Sequence, residues 1–213
     1  MKVLEARFVT SAVDRSGIPA DGIPHIALVG RSNVGKSTLV NALAGRSLAR
    51  TSAAPGKTRL ANLYRVTVDG GPGGPGRWST YFADLPGYGY ARGGRESVAE
   101  LAQIATEYFD LEGLEGKTGG YEIAGVLQVI DARHPDLDAD SDAHQWLASL
   151  GVERAVVATK IDKLSRAERA RNLAELKRRF GTAALPVSAA RGEGLDDLWK
   201  LITRMARPTL RPR

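Results

Sequence analysis

Apolar residues in this chain occur in short runs that are separated by longer segments with helical spacing. The short runs predict β-strands near residues 5–10, 25–29, 63–68, 78–83, 124–130, 155–159 and 184–187. The longer segments predict helices near residues 36–45, 94–109, 138–150, 165–180 and 194–206. Because strands and helices alternate after residue 78, we expect a three-layer α/β fold with right-handed crossovers and a mainly parallel sheet.

The strands predicted at 63–68 and 78–83 are an exception to this alternation. The segment Asp-Gly-Gly-Pro-Gly-Gly-Pro-Gly at 69–76 lies between them. This composition predicts a flexible hairpin loop over residues 69–77, so the two strands should be antiparallel, with 63–68 near the sheet edge. The loop can be an arm that contacts a partner, but a neutral insertion is the favoured interpretation.

Length and composition limit the class of protein. The 213 residues are enough for one α/β domain with a proper core and few for two, so we expect a single domain over residues 1–213. The absence of cysteine excludes disulfides and thiolate metal sites. Residues 1–5 lack the apolar core of a signal peptide, and no run approaches the roughly 20 apolar residues of a membrane helix. We therefore expect a soluble cytoplasmic protein without a membrane partner, and we take it to be a monomer.

The most informative segment is Gly-Arg-Ser-Asn-Val-Gly-Lys-Ser at residues 30–37, a full match to the phosphate-binding pattern G-x-x-x-x-G-K-[S/T]. It follows a predicted strand and precedes a predicted helix, as such a loop requires. Gly30 and Gly35 let the backbone curl around an anion at the start of that helix. Lys36 can reach the β- and γ-phosphates, and Ser37 can ligate Mg²⁺. A glycine-rich turn that carries a lysine by chance is the weaker alternative.

Four further segments follow in the order and spacing of a GTPase. They are Pro-Gly-Lys-Thr at 55–58, Asp-Leu-Pro-Gly at 84–87, Thr-Lys-Ile-Asp at 159–162 and Ser-Ala-Ala at 188–190. The last three each end a predicted strand, and ligands of open α/β sheets bind at the carboxyl ends of strands. Their joint order therefore predicts a nucleotide site at this end of the sheet.

The residue types in these segments suit phosphates and a magnesium ion. Thr58 can offer a hydroxyl to Mg²⁺ and an amide to the γ-phosphate, and Asp84 can hold a water of the Mg²⁺ shell. Gly87 can bring its amide close to the γ-phosphate because it has no side chain. We expect the catalytic groups to be Lys36, Thr58 and Gly87. We expect the metal to be held by Ser37, Thr58 and, through water, Asp84.

Asp162 predicts selection of guanine over adenine. Its carboxylate can accept hydrogen bonds from N1 and the exocyclic amine of guanine, whereas adenine would leave it unpaired. Ser188 and Ala189 are expected to close over the base, with the Ala189 amide donating to guanine O6. Thr159 stands where asparagine is usual in this motif, but the selecting carboxylate is present.

Together these motifs resemble the EngB family (also called YihA or YsxC) of bacterial ribosome-assembly GTPases, in the translation-factor-like P-loop class. Its more specific segments are Leu-Pro-Gly-Tyr-Gly-Tyr at 85–90 and Asp-Ala-Arg-His-Pro at 131–135, and the likeness covers nearly the whole chain. The resemblance implies GTP and GDP as ligands, Mg²⁺ as cofactor, and the large ribosomal subunit precursor or ribosomal RNA as partner. It also implies a link to normal cell division and septation.

The full set of residues expected to bind the nucleotide comes from the motifs and the resemblance. It consists of Gly30, Arg31, Ser32, Asn33, Val34, Gly35, Lys36, Ser37, Thr38, Gly56, Lys57, Thr58, Arg59, Leu60, Asp84, Leu85, Pro86, Gly87, Thr159, Lys160, Ile161, Asp162, Val187, Ser188 and Ala189.

Tyr88 and Asn33 bear on the rate of hydrolysis. Tyr88 occupies the position at which many GTPases place the glutamine that orients the attacking water, so we expect a low intrinsic rate. Asn33 stands where some related GTPases hold K⁺ against the phosphates, which makes K⁺ a second candidate cofactor. Equally, Asn33 can shape the loop through side-chain hydrogen bonds. For His134 and Asp131, a structural role is favoured over catalysis and metal binding.

Positive charge is concentrated in the last part of the chain. Residues 163–213 carry 13 Lys and Arg against 5 Asp and Glu, whereas residues 1–162 carry 17 against 19. The whole excess of positive charge therefore lies in the last two helices and the basic tail at 207–213. Arginine-rich surfaces favour RNA phosphates, and a solvated helix face is the alternative.

The sequence thus predicts a Mg²⁺-dependent GTPase that hydrolyses GTP slowly and acts as a switch in assembly of the large ribosomal subunit. The assembly role rests on the resemblance alone. One alternative is a GTP-gated interaction module in cell division, with hydrolysis incidental. Another is a P-loop kinase or ATPase, against which Asp162 and the lack of an obvious lid or acceptor site argue.

Overall fold

The structure is a computed structural model that describes residues 1–49, 61–71, 75–88, 108–109 and 121–210, the last four by their backbone only. Its strands are β1 (Lys2–Ala12), β2 (His25–Val29), β3 (Ala61–Asp69), β4 (Arg77–Asp84), β5 (Ile123–Asp131), β6 (Arg154–Thr159) and β7 (Leu185–Pro186). Its helices are α1 (Lys36–Ala44), α2 (Asp138–Ser149), α3 (Arg166–Phe180) and α4 (Leu195–Leu210). Of the helix predicted at 94–109, only Tyr108 and Phe109 belong to the described residues.

The described strands form one sheet in the order β1-β3-β4-β2-β5-β6-β7. Strand β3 is antiparallel to both of its neighbours, β1 and β4. The other adjacent pairs are parallel. The predicted mainly parallel sheet and the antiparallel pairing of 63–68 with 78–83 are therefore confirmed. Strand β3 lies second from one edge, inside β1.

Strand β1 is longer than the segment predicted at 5–10, because it pairs with β3 along its whole length. The pairing shifts register between Val3 and Glu5 and again between Phe8 and Thr10. Each shift interrupts the alternation of apolar and polar positions, which is the signal that marks a strand in a sequence. For this reason the pattern of apolar residues did not predict the two ends of β1, at residues 2–4 and 11–12.

Helices cover both faces of the sheet, as the three-layer prediction requires. On one face, α1 and α4 pack against the centre of the sheet through residues such as Leu39, Trp199 and Ile202. On the other face, α2 contributes Leu147 and α3 contributes Leu176. Consecutive residues of β5 point to opposite faces, with Leu127 in the first core and Val126 in the second. Both faces of the central strands are therefore buried, which explains their continuous apolar runs.

Side chains at the helices show how they are capped and packed. Ser165 caps α3, because its hydroxyl accepts a hydrogen bond from the Glu168 amide while the Glu168 carboxylate accepts one from the Ser165 amide. Trp199 is a core residue, whereas Trp146 is half-buried and packs edge-on against Phe109.

The predicted loop at 69–77 connects β3 to β4, whose terminal residues Asp69 and Arg77 are paired. At the base of the loop, the Gly70 amide donates to the Gly76 carbonyl at 2.9 Å. Residues 72–74 lie outside the described part of the chain, and the proposed flexibility of the loop stays a prediction.

Within the described residues, no helix is both long enough and apolar enough to cross a lipid bilayer.

Candidate nucleotide site

The phosphate loop connects β2 to α1 in the predicted strand–loop–helix arrangement. Gly35 directly precedes α1 with a φ of 108°, a value that side chains rarely tolerate. Asn33 also has a positive φ, 63°, and asparagine is among the few residues that adopt this conformation readily. The two residues turn the backbone so that the loop leads into the amino end of α1.

Lys36 lies beneath this loop and is 7% exposed. Its Nζ donates to the carbonyls of Gly30 at 2.9 Å and Arg31 at 3.2 Å. Burial lowers the pKa of Lys36, and the carboxylate of Asp84 opposes that effect. The ammonium group is thus held at the phosphate loop by backbone oxygens.

Ser37 and Asp84 form the part of the site that suits a metal ion. The Ser37 hydroxyl donates to Asp84 Oδ2 at 2.8 Å, which joins the start of α1 to the end of β4. The other oxygen, Asp84 Oδ1, is buried and has no hydrogen-bond partner among the described residues. Burial raises the pKa of Asp84, while Lys36 and Ser37 lower it. A hydroxyl and an unsatisfied carboxylate oxygen are the hard donors that Mg²⁺ and its waters prefer, so the residues present fit this ion.

The segment after β4 lies directly against the phosphate loop. The Ser32 hydroxyl donates to the Gly87 carbonyl at 3.1 Å, and the Ser32 amide donates to the Tyr88 carbonyl at 2.9 Å. A Cβ atom on Gly87 would lie 2.7 Å from the Ser32 nitrogen and 2.9 Å from Lys36 Nζ. Only glycine fits here without moving the loop, in agreement with the close approach inferred from sequence.

Thr159 and Lys160 tie the end of β6 to the phosphate loop. The Thr159 hydroxyl donates to the Val34 carbonyl at 2.7 Å, and Lys160 Nζ donates to the Asn33 carbonyl at 2.6 Å. Thr159 therefore supports the loop from the position where asparagine is usual. Lys160 adopts a φ of 59°, a conformation that aims its side chain back across the loop.

Asp131 anchors Lys160, and among the described residues it belongs to no cluster of side chains that could hold a metal ion. Its Oδ2 lies 2.9 Å from Lys160 Nζ and 2.8 Å from an Arg133 guanidinium nitrogen. Burial favours the neutral acid, but the hydrogen bonds from Arg133 and Lys160 prevail and lower the pKa of Asp131 to about 2. This is the supporting role favoured from sequence. The neighbouring His134 closes the turn by donating its amide to the Asp131 carbonyl, while its ring is exposed.

The predicted base-selecting residues are in contact with each other. The Ser188 hydroxyl donates to Asp162 Oδ1 at 2.7 Å, and this bond is the main cause of a lowered pKa of Asp162. Ser188 is itself fixed, because its amide donates to the Glu193 carbonyl. The carboxylate is therefore ionised and held in one orientation, as recognition of a donor pair on a base requires.

The structure thus brings the described members of the predicted set to the carboxyl ends of β2, β4, β6 and β7. Four of them bury their side chains in the core and can act only through the backbone: Val34, Leu85, Ile161 and Val187. The residues Gly56, Lys57, Thr58, Arg59 and Leu60 lie outside the described part of the chain.

Sequence reasoning missed the buried residues behind the site. Asp140 accepts a hydrogen bond from Tyr88, and Gln128 donates to the backbone of Asp140. Neither residue belongs to a motif. Asp140 is one of three aspartates within five residues, and only the packing of α2 distinguishes it from Asp138 and Asp142.

Comparison with known proteins agrees with this geometry. A family model described as a 50S ribosome-binding GTPase matches residues 25–160. The probable GTP-binding protein EngB of Heliobacterium modesticaldum is 37% identical over 207 residues, which cover 95% of this chain and 92% of the relative. The chain belongs to the EngB family of GTPases.

Solved structures carry the same fold. A probable GTP-binding protein EngB superimposes with a TM-score of 0.57 at 22% identity, over 86% of this chain and 99% of that one. The GTPase Era, solved with MgGDPNP and nucleotides 1506–1542 of 16S ribosomal RNA, superimposes with a TM-score of 0.64 at 28% identity. The match covers 86% of this chain and 56% of the Era chain. This EngB-family GTPase thus shares its fold with GTPases of known structure.

Proposed function

We propose that this EngB GTPase binds GTP with Mg²⁺, hydrolyses it slowly, and uses the exchange between GTP and GDP as a switch in assembly of the large ribosomal subunit. One observation carries the proposal. The Lys36, Ser37 and Asp84 constellation lies at the same end of the sheet as the Asp162 and Ser188 pair. The phosphate loop is bonded to Thr159 and Lys160, which lie just before Asp162 in the chain.

Each part of the site has a chemical task in this proposal. Lys36 neutralises charge on the β- and γ-phosphates, and the Gly87 amide recognises the γ-phosphate. Ser37 and, through water, Asp84 hold Mg²⁺, together with Thr58, which lies outside the described residues. A bound Mg²⁺ supplies positive charge to the phosphate oxygens. Asp162 accepts from N1 and the exocyclic amine of guanine, and rejects adenine because its carboxylate would be left unpaired.

Slow hydrolysis follows from the position of Tyr88. Its hydroxyl is buried and bonded to Asp140 at 2.7 Å, so it is not available to orient a water molecule. A glutamine at this point performs that task in many GTPases. We expect the intrinsic rate to be low until a partner or a cation supplies the missing stabilisation.

Asn33 remains the candidate for K⁺ binding. Its side chain is exposed and makes no hydrogen bond among the described residues, which argues against the interpretation that it shapes the loop through its amide. We propose that K⁺, held partly by Asn33, stabilises charge that develops between the β- and γ-phosphates. GTP turnover in K⁺ and in Na⁺ at equal ionic strength, with and without Asn33→Ala, tests this. Equal rates in both salts would leave Asn33 with its backbone role alone.

A ribosomal partner is supported by the 50S ribosome-binding GTPases that share the family model, by the RNA in the Era structure, and by the basic end of the chain. Several of the arginines there are already paired, since Arg169 contacts Glu193, Arg179 contacts Asp138, and Arg204 contacts Glu153. The side chains of other cations make no hydrogen bond or ion pair with any described residue. Those exposed on α3 are Arg166, Arg171 and Lys177.

We therefore propose that the exposed face of α3 contacts RNA phosphates through Arg166, Arg171 and Lys177. Such a role places the protein in the cytoplasm, where we expect it to act as a monomer. Cosedimentation with large-subunit precursor particles in GTP and in GDP tests the function. Binding that depends on GTP supports it. Nucleotide binding without any affinity for these particles would favour the GTP-gated module in cell division instead.

A further inference from the structure

Tyr88 lies beside the phosphate loop, and its side chain points away from that loop into the space between the sheet and α2. It is 3% exposed, and its hydroxyl donates to Asp140 Oδ1 at 2.7 Å. Asp140 lies in the first turn of α2 and is 2% exposed. A buried hydrogen bond to a carboxylate is among the stronger bonds in a protein, so this contact fixes both partners.

Asp140 is in turn attached to the centre of the sheet. Its backbone carbonyl accepts a hydrogen bond from Gln128 Nε2 at 2.8 Å, and Gln128 Oε1 lies 2.7 Å from His144 Nδ1. Gln128 belongs to β5 and is buried, whereas His144 lies one turn further along α2. The two bonds hold the first turns of α2 against β5, so Asp140 is a rigid acceptor for Tyr88.

The backbone of Tyr88 is bonded at the same time to the phosphate loop. Its carbonyl accepts from the Ser32 amide, and the preceding carbonyl of Gly87 accepts from the Ser32 hydroxyl. Further back, the Leu85 amide donates to the Leu28 carbonyl of β2. Gly87 thus lies between an attachment to β2 on one side and the Tyr88–Asp140 bond on the other.

We propose that Asp140 is a positioning residue for recognition of the γ-phosphate. By holding the Tyr88 hydroxyl, it keeps the Gly87 amide at the phosphate loop before nucleotide binds. GTP then gains a preformed contact, whereas GDP, which has no γ-phosphate, gains nothing. The inference rests on the proposed function, because it assumes that Gly87 contacts this phosphate.

The electrostatics of the pair agree with this role. Burial raises the pKa of Asp140 to about 6, while the Tyr88 hydroxyl and the nearby cation of Arg31 lower it. The carboxyl is therefore mostly ionised at neutral pH and accepts the tyrosine proton. Burial and the same carboxylate raise the pKa of Tyr88, so the phenol stays protonated as the donor.

The test is the ratio of affinities for a non-hydrolysable GTP analogue and for GDP, measured by calorimetry on the full chain. Tyr88→Phe and Asp140→Ala should each weaken binding of the GTP analogue by about three- to tenfold, since a hydrogen bond to a charged group is lost. Affinity for GDP should be unchanged. Asp140→Asn keeps an acceptor oxygen and should bind both nucleotides nearly as the natural chain does.

Two further variants separate positioning from general stability. The double variant Tyr88→Phe with Asp140→Ala should lose no more GTP-analogue affinity than either single change, because both remove the same bond. Leu147→Val removes a buried methylene from α2 and should lower thermal stability without changing the ratio. Tyr88→Phe removes only one oxygen atom, so it remains informative if Asp140→Ala does not fold.

An unchanged ratio in Tyr88→Phe and Asp140→Ala, with both nucleotides still bound, would overturn the positioning role of Asp140. Failure of the natural chain to bind either guanine nucleotide would instead contradict the proposed function. A loss of affinity for GDP equal to the loss for the GTP analogue would also contradict the inference, because it would mean that the bond supports the whole site.

Discussion

The two ends of the central sheet bury polar groups in opposite ways. At the carboxyl end, Lys36 and Asp84 are each less than 10% exposed, yet both belong to a charged constellation. At the amino end, His25 is fully buried among Tyr81, Tyr108 and Tyr121. Burial lowers the pKa of His25 to about 4, so this group is neutral under ordinary conditions.

The two ends of the sheet differ in how the cost of burying a charged group is offset. Burying a charge is costly unless an opposite charge or several hydrogen bonds accompany it. At the phosphate-loop end, Lys36 and Asp84 keep hydrogen bonds to backbone oxygens and to Ser37, and in the proposed function the nucleotide and metal would complete their interactions. At the amino end, His25 lies among aromatic rings and loses its charge by deprotonation. Charge is thus retained at the proposed binding end of the sheet and removed at the other.

The largest expected effect is a change of nucleotide preference at the carboxyl end. Asp162→Asn should lower GTP affinity by at least about a hundredfold, because an amide cannot accept from both guanine donors. The same variant should gain affinity for xanthosine triphosphate, whose C2 carbonyl accepts where guanine donates. Competition binding with GTP, xanthosine triphosphate and ATP measures the change.

Asp142→Asn, on an exposed position of α2, is the matched control and should leave nucleotide preference unaltered. If the natural chain bound ATP as tightly as GTP, the assignment of Asp162 as the base selector would be wrong. The free energy of unfolding of Asp162→Asn should stay close to that of the natural chain, since this carboxylate serves the ligand.

At the amino end, the expected effect is on stability. The pKa of His25 is about 4 in the folded chain and 6.5 when it is unfolded, so protonation favours unfolding as the pH falls from 6.5 towards 4. At pH 5 the loss should be about 2 kcal/mol relative to pH 7.5. His25→Phe should abolish this part of the pH dependence, as urea unfolding at the two pH values can measure. A constant difference between the two proteins at both pH values would contradict the prediction.

The ionisation of Asp140 should change the free energy of unfolding with pH in the opposite direction to that of His25, and by a smaller amount. Its pKa is raised to about 6 from 3.8, so protonation favours the folded chain as the pH falls from 6 towards 4. Between pH 7.5 and pH 5 it should contribute about 1 kcal/mol of added stability that Asp140→Asn lacks. The experiment is the same urea titration, with His25→Phe and Asp140→Asn compared side by side. If the free energy of unfolding changed equally with pH in the two variants, His25 and Asp140 would not have pKa shifts with opposite effects on stability.

The smallest effect is expected from the exposed cations of α3, which are neither buried nor paired. Neutralising Arg166, Arg171 and Lys177 to glutamine should make the salt dependence of particle binding shallower, by about two in the slope of log affinity against log salt. Arg178→Gln with Arg179→Gln is the control, since these arginines contact Glu175 and Asp138. GTP affinity should not change in either variant. A slope that is reduced equally in both variants would show that paired arginines bind RNA as well.

Local patterns were sufficient for most of the fold and for the residues that meet at the proposed nucleotide site. Strand and helix periodicity predicted the sheet and its layers, and fixed spacing predicted Lys36, Asp84 and Asp162 as partners at one edge. The polar contacts behind the site could not be predicted in this way. Whether Asp140 faces the core depends on how α2 packs, and Arg179 pairs with Asp138 across 41 positions of sequence.

The bonds from Thr159 and Lys160 to the phosphate loop have a consequence for the order of events during synthesis. They join residues that are 125 and 127 positions apart. In a growing chain, the loop at 30–37 is made long before the strand that supports its outer side. A nascent chain that does not yet contain residues 159 and 160 has the phosphate motif but lacks these two supporting hydrogen bonds. The support of the phosphate loop by β6 is therefore completed only after about three quarters of the polypeptide has been translated.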